Sequence, residues 1–147
     1  MKEFLIYSKR CFINNQFIEA TLHIQNQKIF KIYPFKNKLA ELSFFNYTDL
    51  IVMPGIIDAH VHINEPGRED WEGFDTATKA AAIGGVTSLI EMPLNASPVT
   101  TNVDAFIIKQ QAAENKLHVN CGFYGGITPT NANAIEGLIK AGVFGIK

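Results

Sequence analysis

The 147-residue sequence has only two cysteines, no long apolar run and almost no net charge. Cys11 and Cys121 form no C-x-x-C pair, which argues against a disulfide framework or a thiolate zinc site and favours a reducing cytoplasm. No apolar stretch approaches the ~18 residues of a membrane span, so no membrane partner is expected. The 13 Lys and Arg residues nearly balance the 14 Asp and Glu residues, which removes the electrostatic case for binding nucleic acid.

The composition is that of a globular protein, with 47% hydrophobic and 18% charged residues. Residues 1–33 are rich in β-branched and aromatic residues and are broken by turn formers at Asn14-Asn15 and Gln25-Asn26-Gln27. This pattern predicts a small antiparallel sheet built from segments 4–9, 10–13, 16–24 and 28–33. Residues 34–49 lack a clear period and are interpreted as a connection.

From residue 51 the pattern changes to alternating strands and helices, in the order β-α-β-α-β-α-β. This order predicts an α/β fold with a parallel sheet and right-handed crossovers. Both a doubly wound sheet and a (β/α)₈ barrel fit. The lack of a G-x-G-x-x-G or P-loop motif after the first strand weakens the nucleotide-binding version. A barrel needs about 250 residues, so this segment would form half of one, with two open edges and an uncovered apolar face.

Each predicted helix has a candidate core face. The spacing assigns these faces to Phe74, Ala77 and Ala81; to Val103, Phe106, Ile107 and Gln110; and to Ile135, Leu138, Ile139 and Gly142.

The residues with the clearest chemistry lie at the end of the first strand of this pattern. Side chains alternate along a strand, so Asp58, His60, His62 and Asn64 are predicted to share one face. Two imidazoles at i and i+2 are about 6.6 Å apart along a strand and can converge on one cation. Asp58 could orient one ring as a hydrogen-bond acceptor. The alternative, an ordinary polar strand face, is less favoured because Pro54-Gly55 and the loop formers from Glu65 mark the strand end.

Two histidines do not complete a hydrolytic metal site, which needs about three protein ligands and an open position for water. His23 and His118 lie at positions typical of packing or surface histidines. Lys147 is a candidate only if its neutral amine adds carbon dioxide and becomes an anionic carbamate. From the residues alone, Lys147 is more typical of a solvated terminal lysine.

The runs PGIIDAHVHINEPGREDWEGF and TATKAAAIGGVTSLIEMPLN resemble the cyclic amidohydrolases of the amidohydrolase superfamily. This family includes allantoinases, dihydroorotases and hydantoinases. The resemblance implies a (β/α)₈ TIM-like barrel of a metal-dependent hydrolase, preceded by a small β-sandwich. Residues 1–50 would then be the N-terminal β-sandwich segment, and residues 51–147 the first half of the barrel, truncated after the fourth strand.

Within the family, the chain resembles the allantoinase group. Asn64 stands where dihydroorotases place an Arg, and an Asn cannot clamp a substrate carboxylate with two charged hydrogen bonds. The resemblance therefore implies hydrolysis of allantoin to allantoate, a step of purine catabolism. A dihydroorotase- or hydantoinase-type activity is the first alternative. A non-catalytic remnant that acts as an interaction module is the second.

The resemblance also implies a set of site residues and cofactors. His60 and His62 would bind the more buried metal, and carboxylated Lys147 would bridge two metals. Zinc is the first candidate, and Mn, Co and Fe also suit such ligands. Asn95 and Asn64 would contact the cyclic ureide substrate. The second metal's histidines and the Asp general base have no counterpart here, so we expect an N-terminal fragment that is inactive alone. The full-length form is expected to be a cytoplasmic homotetramer.

Overall fold

The computed structural model describes residues 3–147, which divide into two compact units. The first unit ends at Pro54 and the second begins at Gly55. Within the described residues, no helix is both long enough and apolar enough to cross a membrane.

The first unit is a five-stranded sheet built on one long strand. β1 (Glu3–Ile13) pairs antiparallel with β2 (Gln16–Gln25), which pairs antiparallel with β3 (Lys28–Tyr33). Two short strands, β4 (Ser43–Asn46) and β5 (Ile51–Val52), pair with β1 in parallel. Ile51 and Val52 therefore belong to this sheet, whereas the sequence analysis placed them at the start of the barrel segment.

Both hairpin turns of this sheet fall where the sequence predicts turn formers. Asn14 and Asn15 have φ angles of 51° and 61°, and Asn26 and Gln27 have φ angles of 52° and 62°. Two successive positive φ angles are typical of the type I′ turn, whose twist matches that of the strands it joins. Asparagine adopts this left-handed backbone more readily than other residues with side chains.

Three details of the first sheet differ from the sequence prediction. The two strands predicted between residues 4 and 13 form one strand, β1, whose pairing with β2 shifts between Ser8 and Cys11. This shift bends the strand without ending it, as bulges do. Residues 34–49 contain β4, which is too short to give a visible alternation. The sheet is mixed rather than antiparallel, because β4 and β5 run parallel to β1.

The second unit alternates strands and helices in the predicted order, and all four strands are parallel. The strands are neighbours in chain order, whereas a doubly wound sheet would reverse its order at a switch point. This order confirms the prediction of a half barrel. The elements are β6 (Ile56–Val61), α1 (Phe74–Ile83), β7 (Val86–Glu91), α2 (Val103–Ala113), β8 (Asn120–Gly125), α3 (Ile135–Ala141) and β9 (Gly145–Ile146).

The helices pack against the sheet around Phe123 of β8. Its ring makes edge-to-face contacts with Phe74 of α1, at 6.1 Å between centroids, and with Phe106 of α2, at 5.9 Å. Such pairs add about 0.5–1.5 kcal/mol to the burial of the rings themselves. Leu138 of α3 is fully buried in the same cluster, so all three helices share one core.

The predicted core face of α2 is partly wrong. Phe106 is buried as expected, but Ile107 is 44% exposed and Gln110 is exposed. The fully buried residue of the next turn is Lys109. An acidic partner on the neighbouring strand, described below, draws this lysine inward, and helical periodicity alone does not reveal such a partner.

The outer strands of the second sheet are uncovered within this unit. In the part of the chain that the structure describes, β6 pairs with β7 alone and β9 pairs with β8 alone. Ile57 of β6 is 68% exposed, and Phe144, next to β9, is 73% exposed. These are the open edges and the apolar surface that the sequence analysis expects of a half barrel.

Helix α2 provides a stability test. The Asn102 side chain caps the helix, because its Oδ1 accepts a hydrogen bond from the Ala105 amide at 2.8 Å. We expect Asn102→Ala to lower the free energy of unfolding of the second unit by about 1 kcal/mol, whereas Asn102→Asp retains the cap. Urea unfolding followed at 222 nm measures this, since the three described α-helices all lie in the second unit. Equal stability of the Ala and Asp variants would contradict the prediction.

Candidate metal centre

The two predicted ligand histidines lie side by side at the carboxyl end of β6. His60 is in the strand, and His62 comes just after its last residue, Val61. Their ring centroids are 5.4 Å apart, with the ring planes inclined at 43°. The strand is shorter than the sequence predicts, so His62 is placed by the loop rather than by strand alternation. The rings are nevertheless close enough to converge on one ion.

Lys147 lies beside this pair, although it is 87 residues from His60 in the sequence. Its Nζ is 3.3 Å from His60 Nε2. The Lys147 amide donates to the Gly125 carbonyl, and its own carbonyl accepts from the Ile127 amide, both at 2.9 Å. These bonds fix the backbone of Lys147 beside β8. The Lys147 amine and His60 Nε2 are therefore within hydrogen-bond distance of each other.

The environment of His62 favours a neutral ring. Burial lowers the pKa of His62 below its ordinary value, and the positive charges of Lys147, His60 and Lys109 lower it further. Neutral imidazole is the form that binds metal ions. Nδ1 of His62 is buried and has no hydrogen-bond partner among residues 3–147. Such an orphaned nitrogen is a group that a ligand could satisfy.

Asp58 braces the same strand through the main chain. Its Oδ1 accepts a hydrogen bond from the His60 amide at 3.0 Å. This contact acts on the backbone that carries the imidazole rather than on the ring. The orientation of a histidine ring by Asp58 stays a prediction.

The two predicted substrate residues lie in the loops that follow β6 and β7. Asn64 is buried, and its backbone N–H donates to the Glu72 backbone carbonyl at 3.1 Å. Asn95 is exposed and has a φ angle of 74°, so it forms part of the turn after Pro93. In parallel sheets, loops at the carboxyl ends of neighbouring strands line one site. Their contact with substrate stays a prediction.

The donor set fits a metal only if the lysine is modified. No cluster of three or more His, Cys, Asp or Glu side chains that could hold an ion occurs between residues 3 and 147. The converging groups are two imidazoles and one amine. Carboxylation of the Lys147 amine would supply the anionic oxygen ligand that this set lacks. Two imidazoles with carboxylate oxygens suit zinc and several other divalent ions.

Glu65, in the loop after the histidines, has a role that the sequence pattern does not predict. Glu65 is buried, and its Oε2 accepts from the Phe74 amide at 2.9 Å, at the start of α1. Its other oxygen forms an ion pair with Lys116. A carboxylate at a helix N-terminus satisfies a free amide and interacts favourably with the helix dipole. Glu65 therefore anchors the loop to the helix layer.

A second missed feature is a buried ion pair behind the histidines. Glu91, the last residue of β7, contacts Lys109 of α2 at 2.6 Å, and both side chains are fully buried. Burial raises the pKa of Glu91 to about 7 and lowers that of Lys109, while their mutual attraction opposes both shifts. The available signal was an acidic residue that ends an apolar strand.

Comparisons with known proteins place these residues in context. The amidohydrolase family model matches residues 51–144, a span that ends before Lys147. The allantoinase of Arabidopsis thaliana is 40% identical over 149 residues, covering 97% of this chain and 29% of that protein. The allantoinase of Saccharomyces cerevisiae is 52% identical over 102 residues, covering 69% of this chain and 22% of that protein.

The fold has close counterparts among solved structures. The L-hydantoinase of Arthrobacter aurescens superposes with a TM-score of 0.84 at 30% identity, covering 97% of this chain and 32% of that one. The chain thus spans between 22% and 32% of the length of these three relatives.

The lowered pKa of His62 is testable in the metal-free chain. Since folding lowers this pKa, the contribution of the ring to stability is complete above its ordinary value of 6.5 and is lost as the pH falls through the lowered value. We expect an NMR titration of the imidazole to give a midpoint below 6.5. Lys147→Met should raise this midpoint because it removes a neighbouring positive charge. Lys140→Met, which removes an exposed lysine on α3, is the control. An unchanged midpoint in Lys147→Met would contradict the assigned cause.

Proposed function

The chain belongs to the amidohydrolase family, and from this premise we propose that it forms part of the metal centre of a cyclic-amide hydrolase of the allantoinase type. The single observation that carries the proposal is the approach of the Lys147 amine to His60 at 3.3 Å. Two residues so distant in sequence meet beside His62 at the carboxyl ends of parallel strands, where such folds hold their active sites.

In this proposal, His60 and His62 would hold one divalent ion as neutral imidazoles, and carboxylated Lys147 would be a ligand shared with a second ion. Such ions would supply Lewis-acid polarisation of the scissile carbonyl and activation of water. Zinc is the first candidate, with manganese, cobalt and iron also compatible with the donor set.

Lys147 reaches its ligand form by reacting with carbon dioxide. The neutral amine attacks the carbon, a nitrogen–carbon bond forms, and the electron pair of one carbon–oxygen double bond moves to oxygen. The amine then loses a proton, which leaves an anionic carbamate. His60 Nε2, at 3.3 Å from the amine, is close enough to accept that proton before it passes to solvent.

Allantoin is the proposed substrate. The curated relatives described above carry the name allantoinase, at 40% and 52% identity. Water adds across one ring amide, the carbon–nitrogen bond breaks, and the ring opens to allantoate. Asn64, a neutral residue in the loop after the histidines, suits an uncharged ureide better than a carboxylate-bearing ring. Asn95 would contact the same substrate from the loop after β7.

A hydantoinase-type activity is the second candidate, favoured by the close superposition on the Arthrobacter enzyme. Hydantoin and allantoin share the five-membered cyclic amide, so the two activities differ in the pocket rather than in the chemistry. The homotetramer and the cytoplasmic location stay predictions.

Metal binding is the first test. We expect the chain, in bicarbonate buffer, to bind Co²⁺ in an isothermal titration. His60→Ala/His62→Ala should weaken Co²⁺ binding by at least about 100-fold. Loss of a residue that only hydrogen-bonds to a metal ligand typically costs about 10- to 100-fold in affinity, and loss of the ligands themselves should cost at least as much. The control is His118→Ala, because His118 is exposed and pairs with Asp75 at 2.9 Å. Equal affinity of the double variant and the wild type would contradict the proposed ligands.

Activity requires a complete barrel. We expect a chimera, in which this chain replaces the matching N-terminal part of the Arabidopsis allantoinase, to open allantoin and not dihydroorotate. Lys147→Ala in the chimera should abolish turnover, whereas Lys140→Ala should not. A preference for hydantoin would support the second candidate. A chimera that binds metal but opens no cyclic amide would support a non-catalytic interaction module.

A further inference from the structure

Behind the histidine pair lies the buried ion pair of Glu91 and Lys109, which the proposed chemistry does not use. It sits between the sheet and α2, with the Glu91 and Lys109 side chains both fully buried. Burying two charges costs free energy that their attraction offsets only with good geometry, and an apolar pair of similar volume is often as stable. Such a pair is therefore weak evidence of a purely stabilising role.

The end of β7, where Glu91 lies, contacts the backbone on both sides of His62. The Ile63 amide donates to Glu91 Oε1 at 3.4 Å, and the Met92 amide donates to the Val61 carbonyl at 2.8 Å. The Val61 carbonyl belongs to the peptide unit before the His62 Cα, and the Ile63 amide belongs to the peptide unit after it. Both peptide units that carry His62 are thus held from the end of β7.

Lys109 contacts both Glu91 and Met92, the two residues that hold the backbone around His62. Its Nζ donates to Glu91 Oε2 at 2.6 Å and to the Met92 carbonyl at 3.2 Å. One ammonium group therefore binds the carboxylate that holds Ile63 and also the carbonyl of Met92, the residue whose amide holds Val61. Because His62 lies beyond Val61, the last paired residue of β6, the Ile63 amide is bonded by the Glu91 side chain rather than by a neighbouring strand.

We propose that Glu91 and Lys109 are positioning residues that fix the backbone of His62 for metal binding. This inference rests on the proposed function. The pair acts through the peptide units on either side of His62 and does not touch the metal or the substrate.

The test separates positioning from stability. Glu91→Leu/Lys109→Met removes both charges and leaves a pair of similar volume, so the midpoint of urea unfolding should stay at or above the wild-type value. Co²⁺ affinity, measured by isothermal titration in bicarbonate buffer, should fall by about 10- to 100-fold. This is the loss typical of removing residues that hold metal ligands in place without binding the metal. Glu91→Gln/Lys109→Met retains an oxygen that can accept from the Ile63 amide, and we expect it to recover part of the affinity.

Phe106→Leu is the matched control, since it loosens the core one turn from Lys109 and leaves both charged side chains in place. It should lower the unfolding midpoint and leave Co²⁺ affinity unchanged. A second readout needs no metal: hydrogen exchange of the Ile63 amide should accelerate at least tenfold in Glu91→Leu/Lys109→Met, relative to the Phe123 amide of β8.

The following results would overturn the positioning role of Glu91 and Lys109 or the proposed metal binding. Wild-type Co²⁺ affinity in Glu91→Leu/Lys109→Met overturns the positioning role, as does an equal loss in Phe106→Leu. Unchanged exchange of the Ile63 amide overturns it as well, including when the double variant is less stable. A wild-type chain that binds no Co²⁺ overturns the proposed function itself, and with it any role for the pair in metal binding.

Discussion

The hydrogen bond between the Met92 amide and the Val61 carbonyl, 2.8 Å long, is the contact on which the candidate centre depends. It joins the end of β7 to the last residue of β6, and so sets where the paired strand stops. His60 stays inside the ladder, and His62 emerges from it at a fixed point. A slip of one residue would turn every side chain of β6, including that of His60, to the opposite face of the sheet.

The local pattern of the sequence predicted the repeating part of this fold and the histidine pair. The strand–helix alternation and the asparagine turns depend on neighbouring residues, so short stretches of sequence are enough to predict them. The sequence did not predict β4 because four residues are too few to show the alternation of apolar and polar residues typical of a strand. Lys109 was missed for a different reason: its burial depends on Glu91, 18 residues away, and periodicity does not encode a long-range charge.

The electrostatic character of the centre follows from its neighbours. Among the described residues, Lys147, His60 and Lys109 all place positive charge near His62. Burial is the larger reason that the pKa of His62 is lowered, and these charges lower it further and favour an anion in the vicinity. A carbamate at Lys147 would reverse the sign of the charge nearest to the rings. One covalent change could thus convert a site that repels cations into one that attracts them.

Each unit also encloses one thiol. Cys11 is buried in the first unit and Cys121 is half-buried in the second, and burial raises the pKa of both, that of Cys121 to about 12. Since the thiolate is the reactive species, alkylating reagents should label the native chain slowly at neutral pH. The labelling rate at each cysteine therefore reports how often the unit that contains it opens.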